Sequence, residues 1–518
     1  MRKIIIQWNV CFLLTAAVAH AQEKVDTAMM RKIQQEELSN SQVGTIAHHL
    51  TDVAGPRLTN SPGYKRAVSW AVATLSQWGL QHAAPEAWGE FGKGWSNEHS
   101  YLALKAPYYC PILAFPKAWT NGTNGAVTAQ LVVLDKLDSA TIDAHAADIK
   151  GKVVMLKVPE MKGPASFQPM ARRYTDSELT DMHDMYMVDR KALEYYTGLH
   201  HRNYNTQLYL QHKGALALLE KSQGKDGLLF VQGTAGYVKG VEALLPQLIV
   251  GTEDYLRLQR MVADGHQVEV ELNVTNKWYS DDLKGYNVVA EIPGTDAKLK
   301  DQVVMIGAHL DSWHAGTGAT DNAAGCIVMM EVVRVLQALH VQPRRTIRIA
   351  LWGAEEQGLI GSFNYVKKHF GDPKDMQLKP EQKNVSAYFN LDNGSGKIRG
   401  IFLQKNEAVR DIFASWLAPF AELNATTVTN RNTGSTDHLS FDAVGIPAFQ
   451  FIQDPLDYET LTHHSNMDVM DHLMIADLKQ AVIVVAGFVY NTAMRDELLP
   501  RKPLEKPTRF LFDTDDPL

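Results

Sequence analysis

The sequence predicts an α/β protein: a mainly parallel mixed sheet covered by helices on both faces, with a β-rich unit inserted into it. Three observations carry this reading. From Gly285 onward, short β-branched runs alternate with stretches of helical period, the pattern of a buried parallel sheet. Between Val303 and Asp392 four pieces, VVMIGAHLDSW, GATDNAAG, ALWGAEEQG and YFNLDNG, each lead to a carboxylate or histidine beside glycines or small residues. That is how strands deliver side chains to the carboxyl edge of a sheet. Between about Tyr109 and Asn276 the composition shifts to short β runs with few helices.

With 518 residues the chain is too long for one ordinary core, and two domains are expected. Hydrophobic residues make up 45% and charged residues 21%, a globular composition. Arg2 and Lys3 precede a short apolar run that ends at Ala19-His20-Ala21, so residues 1–21 read as a signal peptide and the mature chain as starting at Gln22. The product is expected to be exported, to a periplasm or the extracellular space. Without that segment 49 basic residues stand against 58 acidic ones, a formal charge of -9. Such a balance, with no basic stripe, argues against nucleic-acid binding. Apolar stretches such as Ala481 to Val489 are too short to span a bilayer, so no stable membrane insertion is expected. Only Cys110 and Cys326 remain after cleavage, and Cys326 opens an apolar helix as a buried free thiol; no disulfide framework is implied.

In chain order, Thr27 to Leu50 and Gly63 to Trp78 have helical period, separated by the loop VAGPRLTNSPG. EAWGEF and SYLALKA read as strands. This first portion has no core of its own and is expected to pack on a later part of the chain. AQLVVLD, GKVVMLKVP, GLLFVQG, PQLIVG and VEVELNV read as strands of the middle unit, with helices near Gly214 to Ser222 and in TEDYLRLQRMVADG. The stretch Met161 to Gln211 resists assignment; its His183, His200 and His201 lack metal-ligand spacing and read as polar loop or helical residues. Then GYNVVAEIPG, DQVVMIGAHLDSW, TIRIALW, VSAYFNLD and GIPAFQFI read as strands. The helices DNAAGCIVMMEVVRVLQALH, GLIGSFNYVKKHF and EAVRDIFASWLAPF lie between them, and the Pro-rich tail from Arg501 reads as extended.

His309 and Asp311 form an H-x-D pair at a strand end, where alternation aims both side chains one way. One can bind metal while the other orients it. Asp321 precedes a helix, Asp392 a turn, and either has an ordinary explanation as a cap or turn residue. Glu355 and Glu356 are adjacent at a strand end, a repulsion relieved by a cation or a shared proton. HHSNMD offers His463 or His464, with Asp468 four residues after the second. Five such positions on successive loops of one edge are expected to hold two metal ions. Mixed imidazole and carboxylate donors suit zinc, and less tightly manganese or cobalt. One of the paired glutamates can ligate while the other moves the proton of an attacking water.

In AHLDS, ATDNAAG, AEEQGLIGS, NLDNG and HHSNMD, taken in order, the chain resembles the M28 family of zinc exopeptidases, the aminopeptidase and glutamate-carboxypeptidase group. The likeness covers Gly285 to about Leu473 and, more loosely, the helices near Gly63. It implies that Asp321 bridges two zinc ions, one also held by Glu356 and His464, the other by His309 and Asp392. Glu355 would be the general base and Asp311 the orienter of His309. His464-Ser465-Asn466-Met467-Asp468 fits the family pattern, with serine where threonine is usual, so His464 rather than His463 is the implied ligand. GKVVMLKVP, HKGALALLEKSQGKDGLLF and PQLIVGTEDYLRLQRMVADG resemble the protease-associated domain inserted in this family, though the 161–211 insert is longer than that likeness leads one to expect. The implied division is 22–110 and 278–518 for the peptidase and 111–277 for the insert.

The loop GSTDHLSF should bring Asp437 and His438 over the site, and Tyr458 is a candidate donor to the tetrahedral oxyanion. No basic cluster announces a C-terminal carboxylate; Arg399 and Arg431 read as solvated surface charges. The expected function is peptide-bond hydrolysis at chain ends by an aminopeptidase or dipeptidase. A carboxypeptidase is the alternative, and a non-catalytic binding protein on the same fold a third reading. The expected partners are peptide substrates and, as an open alternative to a monomer, a second copy of the chain in a homodimer.

Overall fold

A computed structural model describes residues 23–160, 169–182, 203–431 and 433–504. The signal-peptide segment, His183, His200, His201 and most of the tail lie outside the described residues.

Eight strands form the main sheet in the order Gln81–Glu90, Lys284–Ile292, Thr346–Trp352, Val303–His309, Val385–Asn390, Ala448–Gln453, Ile398–Phe402 and Thr427–Thr429. The four central strands, from Thr346–Trp352 to Ala448–Gln453, are mutually parallel, and antiparallel pairings flank them. VVMIGAH is apolar almost throughout because both its faces are covered. Val304, Ile306 and Ala308 face a core shared with the helices Thr27–Asn40, Pro62–Gln77, Ala324–Ala338 and Ile475–Met494. Met305 faces the opposite layer, with Tyr365 and Phe370 around the helix Ile360–His369 and with Phe441. The sheet is therefore mixed, mainly parallel at its centre and covered on both sides. The early helices do lack a core of their own: Ile33, Ile46 and Leu75 are buried in the core of the later strands.

Local chemistry sets the helix ends. Ser61 caps Pro62–Gln77 by accepting from the Tyr64 N–H, with Pro62 in the first turn where its missing N–H costs nothing. Ile475–Met494 is apolar on most sides because it lies between neighbours, and it packs along Ala324–Ala338.

A second sheet has the order Cys110–Ile112, Gly94–Ala106, Glu269–Tyr279, Val127–Leu134, Val153–Leu156, Ala217–Lys221, Gln247–Val250 and Ala114–Pro116. The helix Thr252–Ala263 forms as expected. Two expectations fail here. The stretch expected to be helical at Gly214 to Ser222 is the strand Ala217–Lys221, with a helix over 203–212 just before it. ALLEK has good helix formers, but it lies between two parallel strands, with Leu218 buried on one face and Leu219 on the other. GLLFVQG adds no strand to this sheet; Phe230 instead makes an antiparallel bridge to Ser465.

Candidate metal centre

Register places the site. His309 ends its strand opposite Trp352, and Gly307 lies opposite Asn390, so Glu355, Glu356 and Asp392 emerge beside His309 at one edge. Asp321 arrives in the turn before Ala324–Ala338, with φ -128° and ψ 89°, so it is neither helical nor a simple helix cap. Gly318 makes that approach possible: its φ is +63°, and a Cβ there would fall 2.2 Å from Ser312 Cβ. Gly325 lets the helix start against the loop after Asn390, since its Cβ would lie 2.2 Å from the Leu391 carbonyl oxygen.

The side chains converge. His309 Nε2 lies 3.3 Å from Asp321 Oδ1 and 3.3 Å from Asp392 Oδ1. His464 Nε2 lies 3.2 Å from Asp321 Oδ2 and 3.0 Å from Glu356 Oε2. One carboxylate thus turns an oxygen toward each histidine. His463 Nε2 is farther from Asp321, at 3.9 Å, and its ring lies tilted beside that of His464, 3.8 Å between centroids. Asp321 Oδ2 and Asp392 Oδ1 are buried and accept no hydrogen bond. Burial, with Asp321 adding, pushes Glu356 up to about 7, and burial likewise holds Glu355 well above the usual carboxylate range. Burial opposes the charging of His464, but Glu356 and Asp321 overcome it and raise the ring to about 10. Carboxylates crowded in this way lack cationic charge, and bound cations supply it.

Neighbouring groups fix the cluster. His309 Nδ1 is 3.0 Å from the backbone carbonyl of Asp311 and 3.7 Å from its carboxylate, so the hydrogen-bonding atom is the carbonyl. The Asp311 carboxylate accepts instead from the backbone N–H groups of Glu355 at 3.1 Å and Glu356 at 3.3 Å. Thr59 Oγ1 lies 3.1 Å from it. Asp468 accepts from the Thr320 N–H at 2.6 Å and the Asp321 N–H at 3.2 Å, which fixes the turn carrying Asp321. Arg57 is fully buried and donates to the carbonyls of Leu50, Leu310, Thr317 and Gly318. Its guanidinium ties the loop after His309 to the loop before Asp321. Sequence reasoning passed over Arg57 and Thr59, whose partners, Leu50 apart, lie more than 250 residues away. It noted Asp468 only as a spacing.

Tyr458 is buried by the cluster, and burial, with Asp321 and Asp392 adding, keeps its phenol well above the usual range and so protonated. Asp437 is buried, and burial pushes it up to about 8, with Asp392 and Asp311 adding and His309 and a hydrogen bond from Ser362 opposing. His438 begins a short helix rather than a loop; its Nε2 lies 2.7 Å from Gln404 Nε2 and 3.1 Å from the Thr433 carbonyl. Arg399 is not a solvated surface charge: it is 7% exposed and donates to Asp454 at 3.0 Å. Cys110 and Cys326 are both free, and Cys326 is buried.

Fold and cluster together define an α/β metallo-exopeptidase. Residues 287–489 match the sequence model of Peptidase family M28. The chain is 27% identical over 455 residues to Carboxypeptidase Q of Homo sapiens, covering 87% of this chain and 85% of that protein. It is 28% identical over 201 residues to Aminopeptidase YwaD of Bacillus subtilis (strain 168), 38% and 42% of the two chains. A solved peptidase M28 precursor from Shewanella amazonensis SB2B has a TM-score of 0.67 at 24% identity, over 92% of this chain and 99% of that one. BSAP, a zinc aminopeptidase from Bacillus subtilis, has a TM-score of 0.54 at 20% identity, over 89% and 97%. Residues 287–489 thus carry the likeness to peptidase family M28.

Proposed function

We propose that the chain is a two-zinc exopeptidase that removes residues from the amino end of peptides or splits dipeptides. The observation that carries this is Asp321, whose two oxygens face His309 and His464 separately and whose buried Oδ2 has no hydrogen-bond partner. Two imidazoles and three carboxylates form a donor set that suits zinc, with manganese or cobalt as substitutes. His309, Asp392 and Asp321 would hold one ion; His464, Glu356 and Asp321 the other. Bound there, the pair supplies Lewis acidity toward the scissile carbonyl and acidifies water.

Glu355 is the general base in this reading. It takes no ligand role, lies 3.8 Å from His309 Nε2, and is left to move a proton from the attacking water to the leaving amine. Asp311 holds the base through the Glu355 N–H. Tyr458, kept protonated, is the donor to the oxyanion. Asp437, whose charge raises Glu355, and His438 are assigned to substrate or oxyanion contact in the same reading.

The cleft beside His464 is lined by Trp313, Asp321, Glu356, Ser465 and Asp468. The likeness to a protein named Aminopeptidase YwaD supports cleavage at the amino end. The likeness to a protein named Carboxypeptidase Q supports the second reading, cleavage at the other end. Peptides with a free amine, an acyl block or a C-terminal amide separate the two. The proposal expects the acyl block to stop cleavage and the amide to be tolerated, and the reverse pattern establishes a carboxypeptidase. If both blocks stop cleavage, the enzyme is a dipeptidase. A chain with no bound metal at neutral pH would instead be a binding protein on this fold.

Export after loss of residues 1–21, a homodimer, and a protease-associated unit over 111–277 between peptidase segments 22–110 and 278–518 belong to the same proposal. Supporting an inserted unit is the second sheet, whose strands run from Gly94 to Tyr279 and so begin within the 22–110 segment. Among the described residues no helix is long and apolar enough to cross a membrane.

A further inference from the structure

We propose that Gln232, carried by the second sheet's unit, is the positioning residue of His464, so that this unit completes the metal centre rather than only covering it. The inference rests on the reading of His464 as a metal ligand. A ring that offers Nε2 to a cation keeps its proton on Nδ1 and needs an acceptor there. For His309 that acceptor is local, the Asp311 carbonyl at 3.0 Å. For His464 it comes from the other sheet's unit: the Gln232 side-chain amide lies 3.2 Å from Nδ1, while Nε2 faces Asp321 and Glu356. The amide's oxygen and nitrogen exchange places by a half-turn, so Gln232 can present its carbonyl oxygen to the Nδ1 proton.

The backbone around this contact is joined from both sides. The Val231 N–H donates to the His464 carbonyl at 2.9 Å. The Leu229 N–H donates to Asn466 Oδ1 at 2.8 Å, and the Asn466 N–H returns a bond to the Leu229 carbonyl at 3.1 Å. The Phe230 ring lies 5.4 Å from that of His464. His464 itself has φ +56°, a conformation that an L residue holds only when its surroundings impose it. The backbone groups of Leu229 and Val231 are thus directed to the loop bearing His464.

The test is metal affinity, measured by titrating zinc against a competing chelator in the full chain. Wild type is expected to bind two equivalents. Gln232→Leu, which keeps the bulk and removes the acceptor, is expected to weaken one equivalent by about 10–100-fold and leave the other unchanged. Gln232→Glu keeps an acceptor and is expected to retain both. Unchanged binding in Gln232→Leu overturns the inference, as does equal weakening in Gln232→Glu, which would assign the effect to packing. Fewer than two equivalents in wild type, or wild-type affinity in His464→Ala, overturns the metal reading itself and the inference with it.

Discussion

Replacing Glu355 by glutamine separates catalysis from metal binding. The backbone N–H of residue 355 donates to Asp311 at 3.1 Å whichever side chain it carries, so the loop that also bears Glu356 stays in place. The amide matches the carboxyl in shape, and no ligand contact to Asp321 or Asp392 depends on it. What is lost is a group able to accept a proton. General-base transfer contributes about 10²–10⁴-fold. At about 1.36 kcal/mol per tenfold, this raises the barrier by about 3–5 kcal/mol. Stability should move the other way in the metal-free chain. Burial raises the folded pKa of Glu355 above its unfolded value, so the folded state binds the extra proton and the carboxyl is a burden at neutral pH, which the amide removes. The assay is kcat on a free-amine peptide alongside zinc content by elemental analysis. Turnover above a tenth of wild type with two zinc ions bound would refute the assignment of the base, as would loss of activity in step with loss of metal.

Arg57→Met should destabilise the fold by about 3–5 kcal/mol in urea denaturation, because it strips buried carbonyls of a charged donor; a loss below about 1 kcal/mol contradicts the bracing role. Burial opposes it, but His369 and Lys368 hold Glu86 down to about 2, which ties the edge strand Gln81–Glu90 to the helix Ile360–His369. Its contribution is full above the unfolded value of 4.5 and lost as pH falls toward about 2. The stability gap between wild type and Glu86→Gln should therefore close over that window, and a constant gap refutes it. Extracting the metal should abolish activity and lower the melting temperature, and zinc should restore both. The stabilisation at a thousandfold excess of zinc over Kd is about 4 kcal/mol, and a melting temperature indifferent to zinc contradicts the site.

The cluster was legible in sequence because a parallel sheet brings its strand ends to one edge. Once VVMIGAH, TIRIALW and VSAYFN are strands, His309, Glu356 and Asp392 have little choice of where to go. What supports them was not legible. Arg57 serves carbonyls, which carry no residue identity, and Gln232 meets His464 across a separation of 232 residues with no period to announce it. The helix expected near Gly214 failed because ALLEK favours a helix in isolation and is overruled by neighbouring strands on both sides. Arg399 looked like a surface charge because its partner Asp454 is far away in sequence.

The most direct measurement is anomalous diffraction at the zinc edge from crystals grown with zinc. Two peaks about 3.5–4 Å apart are expected, with Asp321 touching both, His309 and Asp392 on one, and His464 and Glu356 on the other. A single peak, or two that do not share Asp321, would contradict the two-metal centre.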